Sequence, residues 1–301
     1  MTFKRSPEGF RNVEGPLIKS VQARLNAQGF SAGPADGIWG NQTEAALRKW
    51  QESHHIEPTG TLDEETWEEL MRAPLPALSE RALQLTGAWE GTGYGRTNGN
   101  FDGQGITWGV VGFTWGNGEL QRILNEVRAL HPATFRAAFG ALEEQMVDIL
   151  SRPLAEQMEW AQSISTKGGE QIAPEWAAAF KALGDAPEVQ AIENNHAQHY
   201  WDAAIAFARN FALKSETALA LCFDVAVQNR ITGSMIEEIH SRIRRQAGRS
   251  EVDKMRVIAS VVADRANPKY HRDVLNRKMT FVLGQGEVHG DQYDIGSWGI
   301  G

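Results

Sequence analysis

The chain has 301 residues, 42% of them hydrophobic, 9% aromatic and 23% charged, which is enough apolar material for about two domains of ~100–200 residues and excludes wholesale disorder. Thirty basic against 38 acidic side chains leave a net charge of −8, which argues against non-specific capture of nucleic acid or of an anionic membrane. The single cysteine, Cys222, excludes an internal disulfide framework and a four-cysteine zinc site, and its apolar neighbours Leu219 to Phe223 read as the setting of a buried, inert thiol.

Residues 1–20 carry charges but no apolar run of a secretory leader, and no 18-residue apolar stretch occurs. The expectation is a chain made in the cytoplasm, with no membrane insertion, that reaches any outside target by another exit. Val21, Leu25 and Phe30 form an apolar stripe from a short helix into a turn, and a second helix reads from about Thr43 to Ser53 with Ala46, Leu47 and Trp50 at helical spacing. An internal repeat follows at an offset of 23 residues, with Gly37, Thr43 and Leu47 matched by Gly60, Thr66 and Leu70. Each copy reads as a glycine turn, a threonine at a helix start and a leucine anchoring that helix. The prolines of the segment Arg72–Ala77 mark a linker.

The series Val21-Gln22-x-x-Leu25, Gly29-Phe30, Asp36-Gly37-x-x-Gly40-x-x-Thr43, Trp50-Gln51 and Thr59-Gly60 through Leu70 resembles the three-helix peptidoglycan-binding domain found beside cell-wall hydrolases. The resemblance implies attachment to wall glycan or stem peptide, with Asp36, Gly37, Trp39 and Thr43 as contacts. It divides the chain into an extension (1–14), the binding domain (15–72), a linker (73–78) and a second domain (79–301).

The second domain opens with a helix from Ser79 through Leu83, Leu85 and Trp89 that stops at Glu90-Gly91. A carboxylate at a helix C-terminus beside a tryptophan faces the negative end of the helix dipole in a partly dry setting, and both effects raise its pKa, as a general acid requires. Seven glycines then crowd residues 91–109 together with Tyr94, Phe101 and Trp108, and Trp115 follows. Alternation over Ile106–Phe113 suggests a short strand pair, and Asp102 lies twelve residues beyond Glu90. Two carboxylates on different local elements are the minimum kit for glycoside hydrolysis, one to protonate the leaving oxygen and one to activate water or attack. Sugar rings would be held on nearby aromatic faces.

Leu85-Thr86-Gly87-Ala88-Trp89-Glu90, Phe101-Asp102-Gly103-Gln104-Gly105-Ile106-Thr107 and Val110-Val111-Gly112-Phe113 through Glu119 resemble the catalytic core of the chitosanases related to lysozyme. The resemblance implies Glu90 as general acid, Asp102 as general base for water, Thr107 as the hydroxyl that positions it, and Glu119 in the sugar cleft. Two features depart from that family: the interval from Glu90 to Asp102 is shorter, and Gln104 stands where the family has an arginine.

Helices are predicted at about 119–130, 133–149, 153–163, 174–182, 188–213, 216–229 and 250–264, with the tail from Gly284 to Asp294 as loops. The fold class is therefore mainly α, a small three-helix domain followed by a larger lysozyme- or chitosanase-like α domain with a small β-hairpin region. Substrate contacts are assigned to Tyr94, Trp108, Trp115 and Glu119, with Asp224, Gln228 and Asn229 on the helix 216–229 as further candidates and buried hydrogen bonding as their other reading. His196-x-x-His199 puts two imidazoles on one helix face, yet no HExxH motif or third ligand accompanies them. Arg242, Arg244, Arg245 and Arg249 read as a solvated helix face.

Together the resemblances imply a monomeric peptidoglycan glycoside hydrolase, a muramidase of the endolysin kind, needing no metal and no cofactor. A chitosan hydrolase with a wall-targeting module, or a non-catalytic wall-binding protein, are the alternatives.

Overall fold

The computed structural model describes residues 2–89, 93–246 and 250–301. Its first three helices are α1 (Pro16–Ala27), α2 (Asn41–Ser53) and α3 (Glu64–Met71). Pro16 starts α1 with its φ already helical, and Asp63 caps α3 by accepting from the Thr66 N–H at 2.8 Å. Ile18, Val21 and Leu25 of α1, Leu47 and Trp50 of α2, and Trp67 and Leu70 of α3 are buried, and α1 packs against both other helices.

Two buried glutamines explain the internal repeat. Gln22 on α1 donates to Asp36 Oδ1 (3.1 Å), Ile38 O (2.9 Å) and Thr43 Oγ1 (3.1 Å) and accepts from the Gly37 N–H (2.8 Å). Gln51 on α2 repeats the arrangement with Thr59 Oγ1 (3.2 Å), Thr61 O (3.0 Å), Thr66 Oγ1 (3.1 Å) and the Gly60 N–H (2.8 Å). The glycines have φ of 84° and 68°, a turn that only glycine makes without strain. Each helix thus grips the loop leading to the next helix start. Gln51→Ala strands the buried Gly60 N–H and the Thr61 carbonyl, so about 3 kcal/mol of unfolding free energy should be lost, read as a lower denaturant midpoint at constant slope.

The elements that follow are α4 (Leu78–Trp89), the strands β1 (Thr97–Asn98), β2 (Thr107–Trp108) and β3 (Phe113–Thr114), and the helices α5 (Glu119–Leu130), α6 (Pro132–Phe139), α7 (Glu143–Ser151) and α8 (Leu154–Ser163). Strands β4 (Ser165–Thr166) and β5 (Gln171–Ile172) lead to α9 (Pro174–Gly184), α10 (Pro187–Asn210), α11 (Glu216–Asn229), α12 (Gly233–Arg245), α13 (Glu251–Arg265) and α14 (His271–Leu283), then to β6 (Gln285–Val288) and β7 (Asp291–Asp294). The expected single helix 133–149 is two, because Gly140 takes a φ of 52° and a turn of 3-10 helix intervenes. The tail expected as loops is an antiparallel hairpin, β6 to β7, turned by His289 and Gly290 at φ of 53° and 90°. No helix among the described residues is long and apolar enough to cross a membrane.

Packing divides the chain into Met1–Trp89 with His199–Gly301, and Glu90–Gln198. The division does not fall at the proline segment 73–78, because the first unit stitches the N-terminal helices to the C-terminal third. Phe3 bridges Leu62 and Trp298, the Lys4 N–H donates to Ser297 O at 3.1 Å, and the buried Arg81 guanidinium bonds Gly299 O and pairs with Glu216 at 3.0 Å. In the second unit β1, β2 and β3 form an antiparallel sheet. An aromatic chain fills its core: Trp115 to Trp160 (5.0 Å between rings), Trp160 to Trp176 (5.1 Å), Phe139 to Phe180 (5.5 Å) and Phe180 to Trp108 (5.7 Å).

Candidate functional site

Asp102 lies on the loop between β1 and β2, and that loop is fixed at several points. The Asn100 N–H donates to Ser165 Oγ (2.9 Å), its side chain donates to Gln162 Oε1 (2.7 Å), and its Oδ1 accepts from the Gly105 N–H (2.8 Å). Asp102 Oδ1 accepts from the Gln104 N–H at 3.0 Å, and the Gly116 N–H donates to Gln104 O at 2.7 Å. The carboxylate itself is exposed. A rigid loop presenting an exposed carboxylate is what a group that handles solvent water requires.

The sheet register sorts its side chains onto two faces. Thr97, Trp108 and Phe113 are paired across the strands, and so are Asn98, Thr107 and Thr114. Alternation sends the two rows to opposite faces. Trp108 and Phe113 are buried, so the half-buried row Asn98, Thr107, Thr114 is a polar face carrying an amide and two hydroxyls. Thr107 therefore sits in a row of hydrogen-bonding groups, and Asn98 is a candidate that the sequence reading missed although it stands one position before the glycine loop. Glu119 Oε2 accepts from the Thr114 N–H at 3.2 Å and reaches its hydroxyl at 3.4 Å, so this carboxylate braces the end of β3.

Two assignments to sugar stacking are corrected. Trp108 and Trp115 are fully buried, with their indole N–H groups donating to Phe180 O (3.1 Å) and Gln157 Oε1 (2.9 Å). They are core residues of the aromatic chain and present no face to a ligand. Tyr94 is half-buried, its hydroxyl donating to Asn194 Oδ1 at 2.7 Å.

Glu193 on α10 was not singled out in the sequence, though it lies four residues from both Val189 and Ala197 on a buried helix face. It is fully buried, and its Oε2 accepts from the Val110 N–H at 2.8 Å at the β2–β3 turn. Burial pushes its pKa well above the usual carboxylate range, and the Val110 N–H only partly opposes that. Gly109 beside it is obligatory, because a Cβ there would collide with Glu193 Oε2 and the φ is 90°.

Glu90 lies outside the described residues. The helix leading to it does not: α4 ends at Trp89, whose buried ring stands edge-on to Phe281 (5.0 Å, 69°) and Tyr293 (5.7 Å, 84°) with the Arg277 guanidinium 5.3 Å from its centre. Asp224, one of the candidate substrate contacts, is corrected to a buried anchor at 0% exposure. It pairs with Arg277 (2.6 Å) and Lys278 (2.5 Å) and accepts from Thr86 of α4 (3.3 Å). Burial pushes its pKa up, but the two cations outweigh burial and hold it at about 2. Gln228 is drawn into the same cluster, accepting from Lys278 Nζ at 2.6 Å, while Asn229 is half-buried at the end of α11.

In the N-terminal module Gly37, Trp39 and Thr43 are likewise buried framework. Thr43 and Gly37 belong to the Gln22 cluster and Trp39 to the core, so of the four proposed wall contacts only Asp36 is exposed, and its Oδ1 already accepts from Gln22 and the Ile38 N–H (2.9 Å). Cys222 is buried and burial pushes its thiol pKa up, as befits an inert thiol. His196 Nε2 lies 2.7 Å from Glu126 Oε2, and no group of three potential metal ligands occurs among the described residues. Arg242 pairs with Glu238 (2.5 Å) and Asp264 (2.6 Å); Arg249 lies outside the described residues.

Residues 14–70 match the family described as "Putative peptidoglycan binding domain". A search of curated protein sequences finds no match. Among solved structures, a native chitosanase from Bacillus subtilis MY002 is similar at 18% identity and a TM-score of 0.53, covering 72% of this chain and 97% of that one. The GH46 chitosanase of Gynuella sunshinyii, solved with chitotetraose, is similar at 14% identity and a TM-score of 0.51, covering 73% and 98%. The chain thus joins a segment, residues 14–70, that matches the peptidoglycan-binding domain to a mainly α-helical fold similar to that of the chitosanases.

Proposed function

We propose that this protein is a peptidoglycan glycoside hydrolase, a muramidase held on its substrate by the N-terminal module. Glu90 protonates the glycosidic oxygen as the bond to the anomeric carbon breaks. Asp102 takes a proton from the water whose oxygen forms the new bond, and Thr107 helps to hold that water. The observation that carries the reading is the exposed Asp102, presented on a pinned loop next to a polar strand face, in a chain that also bears a wall-binding module. Neither step calls on a metal or an organic cofactor. An endolysin-type, bacteriolytic role is the setting in which binding module and hydrolase would be used together.

The test is mass spectrometry, with a reducing-end assay, of purified Gram-negative peptidoglycan digested by wild type, Glu90→Gln and Asp102→Asn. New reducing N-acetylmuramic ends should form with wild type and fall by about 10²–10⁴-fold in each variant, the usual contribution of a positioned acid or base. Cut peptide crosslinks would replace the reading with a peptidase. Intact peptidoglycan alongside degraded chitosan would replace it with a chitosanase, and wall binding with no turnover of either would leave a binding protein.

A further inference from the structure

Between residues 93 and 198 all four tryptophans and the phenylalanines at 113, 135, 139 and 180 are buried, whereas Phe101 is 57% exposed. Leaving that ring in water forfeits the transfer free energy that the others gain. Looseness of the loop does not account for it. The Phe101 N–H donates to Gly99 O at 3.0 Å, and the neighbouring Asn100 is tied to Ser165 and Gln162. From the other side the backbone of Gly169, at a φ of 94°, packs so closely that a Cβ there would stand 2.6 Å from Phe101 N and Cα. The main chain is clamped and the ring projects into solvent.

The next residue in the chain is Asp102, whose Cα is about 3.8 Å from that of Phe101. A pyranose carries its hydroxyl and N-acetyl groups around the edge and C–H bonds on its faces. An exposed, pre-positioned aromatic face one residue from a carboxylate suits such a ring. We infer that Phe101 is the platform on which the sugar adjoining the scissile bond stacks, taking the pyranose of a wall glycan by its C–H face. This rests on the glycosidase reading above, which supplies the wall glycan as substrate. The aromatic residue that meets substrate is thus Phe101, in place of the buried Trp108 and Trp115.

Steady-state hydrolysis of soluble glycan oligomers freed of stem peptide, by the full-length wild type, Phe101→Ala and Phe101→Trp, tests it. Turnover reads the hydrolytic site alone, so binding by residues 14–70 is common to all three proteins. Phe101→Ala should raise KM at least about tenfold, as expected for a lost apolar ring contact, with kcat little changed and an unaltered melting temperature, while Phe101→Trp retains the wild-type KM. Wild-type KM and kcat in Phe101→Ala would overturn the inference, as would equal impairment in Phe101→Trp, which would mark the ring as a prop for the loop. If wild type releases no reducing ends from any glycan, the glycosidase reading falls and takes the inference with it; if wild type and not Asp102→Asn is active while Phe101→Ala is unimpaired, the inference alone falls.

Discussion

Asp224→Ala should lower the unfolding free energy by about 3–5 kcal/mol, the cost of breaking a buried ion pair from one side. The reason is what it leaves behind. Arg277 and Lys278 are both at 0% exposure, and Asp224 is the carboxylate that both of them meet. Without it both buried cations lose the carboxylate they share, and each forfeits a charge-assisted hydrogen bond in the core. Lys278→Met in the Asp224→Ala background should therefore recover part of the loss, making the double variant less destabilised than the sum of the singles. The pH dependence has a definite sign. Arg277 and Lys278 hold Asp224 at about 2 in the folded protein, below the ordinary aspartate range of the unfolded chain. Its contribution is present above the unfolded value and is lost as pH falls from about 4 towards 2. Denaturant titrations over pH 2–7 should show this acid-side loss in wild type and its absence in Asp224→Ala. Equal slopes in both would sink the assignment. Since the same cluster holds Thr86 and lies under the ring of Trp89, Asp224→Ala should also disturb the helix end that precedes Glu90.

Glu193→Gln should be more stable than wild type at neutral pH, and the margin should widen with pH. Burial raises the Glu193 pKa in the folded protein, whereas in the unfolded chain it returns to the ordinary glutamate range. Folding must then keep a proton that the unfolded chain releases. Wild-type stability contributed by this group is complete below the unfolded value and is lost as pH rises towards the folded one, at one tenfold change in the folding equilibrium per pH unit for a single linked proton. Glutamine fills the same space and accepts from the Val110 N–H without that linkage. Glu193→Ala should instead destabilise at every pH, because it opens a cavity and strands the Val110 N–H. Chemical denaturation of the three proteins at pH 5, 6, 7 and 8 separates these outcomes. A Glu193→Gln margin that stays constant from pH 5 to pH 8 would show that the carboxyl does not keep its proton in the folded protein.

Much of the helical order was legible because helix formation is local. Helices α5 and α11 begin and end where periodicity places them, and Ser215 caps α11 by accepting from the Ala218 N–H at 3.3 Å. The repeat was legible as matched glycines and threonines. Its cause was not, since Gln22 and Gln51 act on loops 8 to 21 residues away in the chain. The break at Gly140 escaped because an isolated glycine is compatible with a helix until packing turns the chain there.

Motif spacing, periodicity and turn chemistry are properties of neighbours along the chain, so the match to the peptidoglycan-binding domain, the mainly helical second part and the glycine-rich setting of Asp102 are legible in residue order alone. Packing between distant segments sets which side chains face solvent. It turned Trp39, Trp108 and Trp115 inward, left Phe101 out, and bound Asp224 to Arg277 and Lys278, 53 and 54 residues further on. Burial of an aromatic ring or a carboxylate depends on what the rest of the chain packs against it, and residue type records the chemistry of a side chain without recording its surroundings.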